Sequence, residues 1–293
     1  MEWSAMGQAR PTVERLQLGL ALTRLRNQAN RSQGEAADAI GRTGGRLSQV
    51  ENGKGGLGAE ELSKLLDFYG VRGPERETVL ALGAAARRRQ PRRGYIDNLP
   101  EPFQRMAELQ TAAREIHWYE CGVIPGLVQS PDYVRAIMAV ANSVYWEDSE
   151  EETSERVQFR LEHQRRVLEA STPKHIWVIF TEDSLRHTIG DESIMRGQVL
   201  HLLQLLERHP SLSIQIVPDS VVNNPALGGG MVVLDFVQST PVTFAPVLHG
   251  PSTYYDQPED IEPMRRTFNR VRELALSRSD TRALLIAKVQ EDA

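Results

Sequence analysis

The sequence predicts a multi-domain chain: an all-α head followed by an α+β body whose sheet is mostly antiparallel. Three observations predict it. The chain has 293 residues, about twice the ~150 residues of a common single domain. Its first ~90 residues read as a string of short helices with no strand-like run. Farther on, helical and strand-like periods mix without strict alternation, and three strand-like runs follow one another across short turns.

Composition narrows the class. The chain is 40% hydrophobic and 25% charged, which excludes wholesale disorder. No window approaches ~18 consecutive apolar residues, so no membrane span is expected. Met1 to Gly7 contain no apolar signal core, so secretion is not expected. The single cysteine, Cys121, excludes an intramolecular disulfide framework and fits a reducing, cytoplasmic setting. The net charge of −5 is unevenly spread. Residues 1–94 carry 16 Lys and Arg against 10 Asp and Glu, and the remainder carry 18 against 29. A basic head on an acidic body is expected when one domain alone meets a polyanion.

The head elements follow in order. Leu18, Leu22, Leu25 and Ala29 recur at helical spacing and mark a first helix, ending near Asn30. Ser32-Gln33-Gly34-Glu35 has the capping-box form and opens a second helix through Ile40, which Gly41 stops. A third short helix runs to about Glu51 and is closed by Asn52-Gly53. Glu60 to Tyr69 forms a fourth, with Leu62, Leu65 and Leu66 inward. Pro74 opens a fifth, ending near Arg88.

The run Arg87-Arg88-Arg89-Gln90-Pro91-Arg92-Arg93-Gly94, with further prolines at 100 and 102, reads as a linker. Its arginines form either a solvated charge run or a phosphate-contacting arm. The expected domains are therefore 1–90, a basic linker 91–104, and 105–293. In the body, helices are expected at 101–115, 131–144, 150–170, 192–209, 259–276 and 279–290. Strands are expected at 116–121, 175–181, 212–217, 231–237, 242–248 and 252–255.

The informative segment is Ser32 to Lys54. Ala37 is small enough for close approach of the next helix, and Ile40, Leu47 and Val50 form a burying side. The opposite face of the third helix carries Arg46 and Gln49, three residues apart, with Arg42 and Thr43 at its entrance. A short helix with an apolar back and a basic, polar front suits a DNA major groove, where Arg favours guanine and Gln adenine. The segment resembles the helix-turn-helix of Xre-type, phage-repressor-like (lambda-repressor-like) DNA-binding domains over residues 16–70. The resemblance implies that Gln33, at the start of the second helix, hydrogen-bonds a phosphate, with a base as a further partner. It places Thr43, Gly44, Gly45, Arg46 and Gln49 on positions facing DNA, and Asn52 and Lys54 on phosphate-contacting positions. It also makes Arg26 and Glu51 a structural ion pair. Gly44-Gly45 departs from the family, which usually has base-touching side chains there. Specificity is then expected to lean on Arg42, Arg46, Gln49 and DNA shape.

In the body, Ile124-Pro125-Gly126-Leu127-Val128-Gln129-Ser130-Pro131-Asp132-Tyr133-Val134-Arg135 is similar to a segment of a domain of unknown function. That domain follows Xre-type heads in many actinobacterial regulators, the WhiJ-like or antitoxin-like family. Arg160 with Gln164-Arg165, Leu212 to Pro218, and Phe268 with Ala275-Leu276 fit it as well, over roughly 105–285. The resemblance implies a regulator switched through contact with a small partner protein. Read from the residues alone, Pro125-Gly126 is a turn and Ser130-Pro131 a helix start. Trp118, Tyr119, Trp146 and Trp177 line either a groove or the core.

Catalytic signals are weak. The seven histidines form no metal-spaced pair, so no metal or cofactor is expected. Glu182, Asp183, His187 and Asp191 gather near one strand end. Gly228-Gly229-Gly230 leads into a strand and lacks a phosphate-loop ending. Cys121 has no neighbour that would activate its thiol. The expected protein is a non-enzymatic, dimeric regulator that binds double-stranded DNA in the cytoplasm, on the nucleoid. Two alternatives stay open: an antitoxin-like protein that chiefly binds a small cognate partner, and a small-molecule-sensing regulator.

Overall fold

The computed structural model describes residues 12–88, 95–97, 101–142, 144, 149–246 and 252–291. The chain forms two compact units. One takes Met1–Ala112 together with Asp235–Phe244 and Pro251–Ile261; the other takes Ala113–Leu234, Ala245–Gly250 and Glu262–Ala293. No helix among the described residues is long and apolar enough to cross a membrane.

The first unit begins with five helices: α1 (Val13–Gln28), α2 (Gln33–Ala39), α3 (Gly44–Glu51), α4 (Ala59–Tyr69) and α5 (Gly73–Arg87). Each start has a local cause. Thr12, Ser32 and Thr43 accept the backbone N–H of Arg15, Glu35 and Arg46, satisfying donors that a first turn leaves free. Ser32 and Glu35 complete a reciprocal capping box. Asn30 (φ 52°) and Gly41 (φ 66°) turn the chain in the left-handed region between helices. Leu18, Leu22, Leu25, Ala36, Ala37, Leu47, Val50, Leu62, Leu65 and Leu66 make one buried core.

To these helices the unit adds β1 (Tyr95–Asp97), α6 (Pro102–Ala112), β6 (Val242–Ala245) and β7 (Ser252–Tyr255), with strand order β1-β7-β6. β1 pairs antiparallel with β7, Tyr95 opposite Tyr254. By these contacts β1 and α6 group with the five helices, where the sequence led to an expected linker at 91–104. Within the expected linker 91–104, Tyr95–Asp97 is a strand, and α6 starts at Pro102. The reason is a buried ion pair. Arg105 Nε donates to Asp97 Oδ2 at 2.9 Å, its Nη2 donates to Oδ1 at 2.5 Å, and Gln17 Nε2 reaches the same carboxylate at 3.4 Å. The Asp97 and Arg105 charges neutralise one another beside Gln17 of α1. Of the arginine run, Arg89, Arg92 and Arg93 lie outside the described residues, as do Trp146 and His249.

The second unit is α+β. Its strands are β2 (Glu115–Glu120), β3 (His175–Thr181), β4 (Leu212–Val217) and β5 (Met231–Asp235), in the order β5-β2-β3-β4. The α+β class is as expected, with a finer point added: β2–β3 and β3–β4 run parallel. Helices α7 (Pro131–Ala141), α8 (Glu150–Leu168) and α9 (Glu192–Arg208) lie between these strands in sequence, which supplies the crossovers that parallel pairing requires. Helices α10 (Pro258–Leu274) and α11 (Arg278–Glu291) complete the unit. Tyr119, Ile179, Val217, Met231, Phe268 and Val271 pack as a core cluster.

Candidate nucleic-acid interface

The pair α2–α3 is held from behind. Ala36, Ala37, Leu47 and Val50 are fully buried, so the back of α3 is fixed in the core and its other face is left to solvent. On that face Arg42, Thr43, Gly45, Arg46, Gln49 and Lys54 are exposed, while Gln33, Gly44 and Asn52 are half-buried. The structure therefore brings all nine residues named from the sequence to one region, around α3 and its two ends.

Each side chain has a definite setting. Arg46 Nη2 donates to the Gly56 carbonyl at 2.9 Å, and its Nη1 lies 3.5 Å from Gln49 Oε1. This fixes the guanidinium beside the Gln49 amide and lowers the ordering cost of presenting both together. Arg42 pairs with Glu61 through Nε at 2.6 Å and through Nη2. Backbone N–H donation from Gly58, and then the Arg42 guanidinium, hold the Glu61 carboxyl below its ordinary range. Asn52 closes α3 by donating from Nδ2 to the Ser48 carbonyl at 2.8 Å. Arg26 donates from Nε and Nη2 to the two Glu51 oxygens at 2.7 and 3.1 Å, and Gln33 Nε2 adds a third bond at 2.8 Å. That carboxylate sits at the end of α3 and ties α1, α2 and α3 together. Hydrogen bonding to Glu51 raises the Arg26 guanidinium above its usual range.

Glycines set the close approaches. Gly53 has φ 71°, and a Cβ there would stand 3.0 Å from the Leu16 Cα. A Cβ at Gly44 or Gly45 would meet nothing within 4 Å. The two glycines of α3 thus leave open space at its N-terminal turn, where bare N–H groups suit an anion.

Sequence reasoning missed two features of this region. Gly19, inside α1, allows the end of α3 to approach; its signal was a helical glycine with no local purpose. Gln238 and Ser239 reach the end of α3 from the β5–β6 connection, as Lys54 Nζ lies 3.5 Å from Gln238 Oε1 and Ser239 Oγ donates to the Asn52 carbonyl at 3.2 Å. No local pattern announces a contact across that sequence distance.

The other candidate groups are structural in their contacts. Asp191 caps α9 by accepting from Ile194 N at 3.0 Å. Glu182 accepts from Asp219 N at 3.1 Å, Asp183 from Thr181 Oγ1, and His187 Nδ1 lies 3.4 Å from the Gly122 carbonyl. Asp183 and His187 meet through Thr181 and Gly122, whose backbone N–H donates to Thr181 Oγ1 at 3.0 Å. At Gly230, a Cβ would stand 2.3 Å from Glu120 Oε1, so the triple glycine permits close packing. Ser130 caps α7, and Gln129 is buried between the Ile124 carbonyl and Arg160. Gln164 and Gln198 bind the carbonyls of Gly126, Val128 and Gln129. Tyr133 is 1% exposed. These contacts make the Pro125–Ser130 segment a largely buried, hydrogen-bonded scaffold. Tyr119 and Trp118 are core residues, and Trp177 packs partly buried, stacked on His117 at 4.7 Å. Burial pushes the Cys121 thiol up, away from reactivity.

Comparison with known families agrees with this division of labour. A helix-turn-helix domain model matches residues 17–79. A domain of unknown function, DUF5753, matches residues 103–287. No curated protein and no solved structure matches the chain. With more than half of its length matched by that second model, the chain belongs to the DUF5753 family and carries a helix-turn-helix domain at its head.

Proposed function

We propose that the protein is a sequence-specific, Xre-type transcription regulator that inserts α3 into the major groove of duplex DNA. One observation carries the reading: Arg46 and Gln49 stand side by side on the exposed face of a helix whose opposite face, Leu47 and Val50, is fully buried. Arg46 reads guanine and Gln49 adenine. Gln33, Thr43, Asn52 and Lys54 position the head on phosphate, and Gly44 and Gly45 admit the backbone closely. One head makes few contacts, so the working form is a homodimer on half-sites ~34 Å apart. The DUF5753 region supplies control through a small partner protein, in the manner of the WhiJ-like or antitoxin-like actinobacterial regulators that the sequence resembles. The site of action is the nucleoid, in the cytoplasm, and the protein is not an enzyme.

Genome-wide capture of sites bound by the tagged chain, with co-purifying proteins identified from the same sample, tests this. Arg46→Ala is expected to lose discrimination between the captured operator and an unrelated duplex. Lys54→Ala is expected to weaken both alike. Unchanged binding in both variants would remove the groove assignment.

A second reading, ligand sensing, is favoured by one feature of the second unit. A cleft of about 180 Å³ is lined by Leu161, Leu168 and Leu205 with His201, Arg208 and His209. Arg165 and Arg208 outnumber the one carboxylate of its lining, Glu169, which favours a small organic anion. A change in operator affinity on adding such a compound, with no partner protein recovered, would favour this reading over partner control.

A further inference from the structure

The β5–β6 connection, residues 236–241, joins the helical unit at the C-terminal end of α3. Ser239 Oγ holds the Asn52 carbonyl at 3.2 Å, and Gln238 Oε1 lies 3.5 Å from Lys54 Nζ. Gln238 and Lys54 are both exposed. Among the described residues the Gln238 Nε2 has no protein acceptor, so an amide donor and an ammonium stand together facing water. The chain beyond residue 94 carries 29 acidic residues against 18 basic ones, yet residues 236–246 contain no acidic side chain. Val237, next to Gln238, is 73% exposed. The segment thus presents short polar groups beside a phosphate-contacting position without any charge that would repel a polyanion.

We infer that the β5–β6 connection is part of the DNA-contacting surface, with Gln238 donating to the phosphodiester group that Lys54 neutralises. This rests on the groove assignment for α3. A phosphate oxygen within reach of the Lys54 ammonium meets the Gln238 amide at the same place, because the two side chains already touch. The contact is uncharged on the Gln238 side, which gives it a signature of its own. It strengthens binding to every sequence alike, and it releases no counterion.

The test uses the full chain, the captured operator and an unrelated duplex of equal length, with binding measured across a salt series. Gln238→Ala is expected to weaken both duplexes by the same factor, roughly tenfold for one hydrogen bond to a charged group, with the salt slope unchanged. Gln238→Lys is expected to tighten both and steepen the slope by about 1, as one more phosphate is neutralised. The side chain is exposed, so both variants should unfold at the wild-type temperature. Wild-type affinity and slope in both variants would overturn the inference. Tighter binding by Gln238→Ala would also overturn it, since the connection would then be masking Lys54. If the unchanged chain binds no duplex, the groove assignment and this inference fall together. Loss of discrimination in Arg46→Ala with no effect at Gln238 removes this inference alone.

Discussion

Gly19 lies against the last turn of α3 so closely that a methyl group at its Cα would stand 2.4 Å from the Glu51 carbonyl oxygen and 2.6 Å from that of Val50. The end of α3 therefore rests on bare backbone of α1. Gly19→Ala puts two effects in opposition. Helix propensity alone favours alanine by ~1 kcal/mol. The clash falls on main-chain atoms that cannot rotate away, and overpacking of this kind costs about 1–3 kcal/mol. The expected net result is a lower thermal midpoint and weaker binding to every duplex. A thermal melt showing stabilisation would mean that α3 slides at no cost.

The carboxylate of Glu51 accepts from Arg26 twice and from Gln33 once, with its side chain 5% exposed. Glu51→Gln removes the charge and leaves the guanidinium facing a neutral amide. Breaking one side of a buried pair costs about 3 kcal/mol. Urea unfolding of the variant is expected to show a loss of that size, and operator and unrelated DNA should both bind more weakly. A loss confined to the operator would instead make Gln33 or Glu51 part of the base readout.

What the sequence disclosed follows the range of the interactions involved. Ser32 with Glu35 and the Leu47–Val50 spacing act within one or two helical turns, so the pair α2–α3 could be read directly. The environment of Asp97 could not, because Arg105 and Gln17 come to it from α6 and α1, and its strand pairs with residues near 253. Composition around the prolines and arginines read as linker for that reason. Arg42 shows the same limit within the site. Its place at the entrance of α3 was legible, but its pairing with Glu61 on α4 was not. Gln238 is the extreme case, since a contact 184 residues away leaves no trace in local pattern.

Gly44 and Gly45 offer a test of why α3 begins so bare. Neither has a left-handed φ, and a Cβ at either meets nothing within 4 Å. The double change to alanine should therefore fit without strain and stabilise the head by up to ~1–2 kcal/mol, less for positions in the first turn. If bare N–H groups approach phosphate there, the same variant should bind DNA more weakly while melting higher. Melting and binding that rise together would assign the glycines no part in the interface.

His163 on α8 gives the second unit a pH dependence of calculable sign. It is 8% exposed, and among the described residues its buried Nε2 has no hydrogen-bond partner. Burial first, then the Arg166 and Arg160 guanidinium groups, push its imidazole from 6.5 down to about 4. The folded protein therefore holds this ring neutral, while the unfolded chain protonates it near 6.5. Its contribution is fully present above pH 6.5 and declines as the pH falls toward 4. Below that both states carry the proton and the loss levels off. At ~1.4 kcal/mol per pKa unit, the loss is about 3 kcal/mol at most. His163→Leu removes the titrating group and should flatten the stability profile between pH 6.5 and 4. Urea midpoints measured across that range for both proteins decide the matter. Profiles that run parallel would show that the ring already finds a proton acceptor in the folded state.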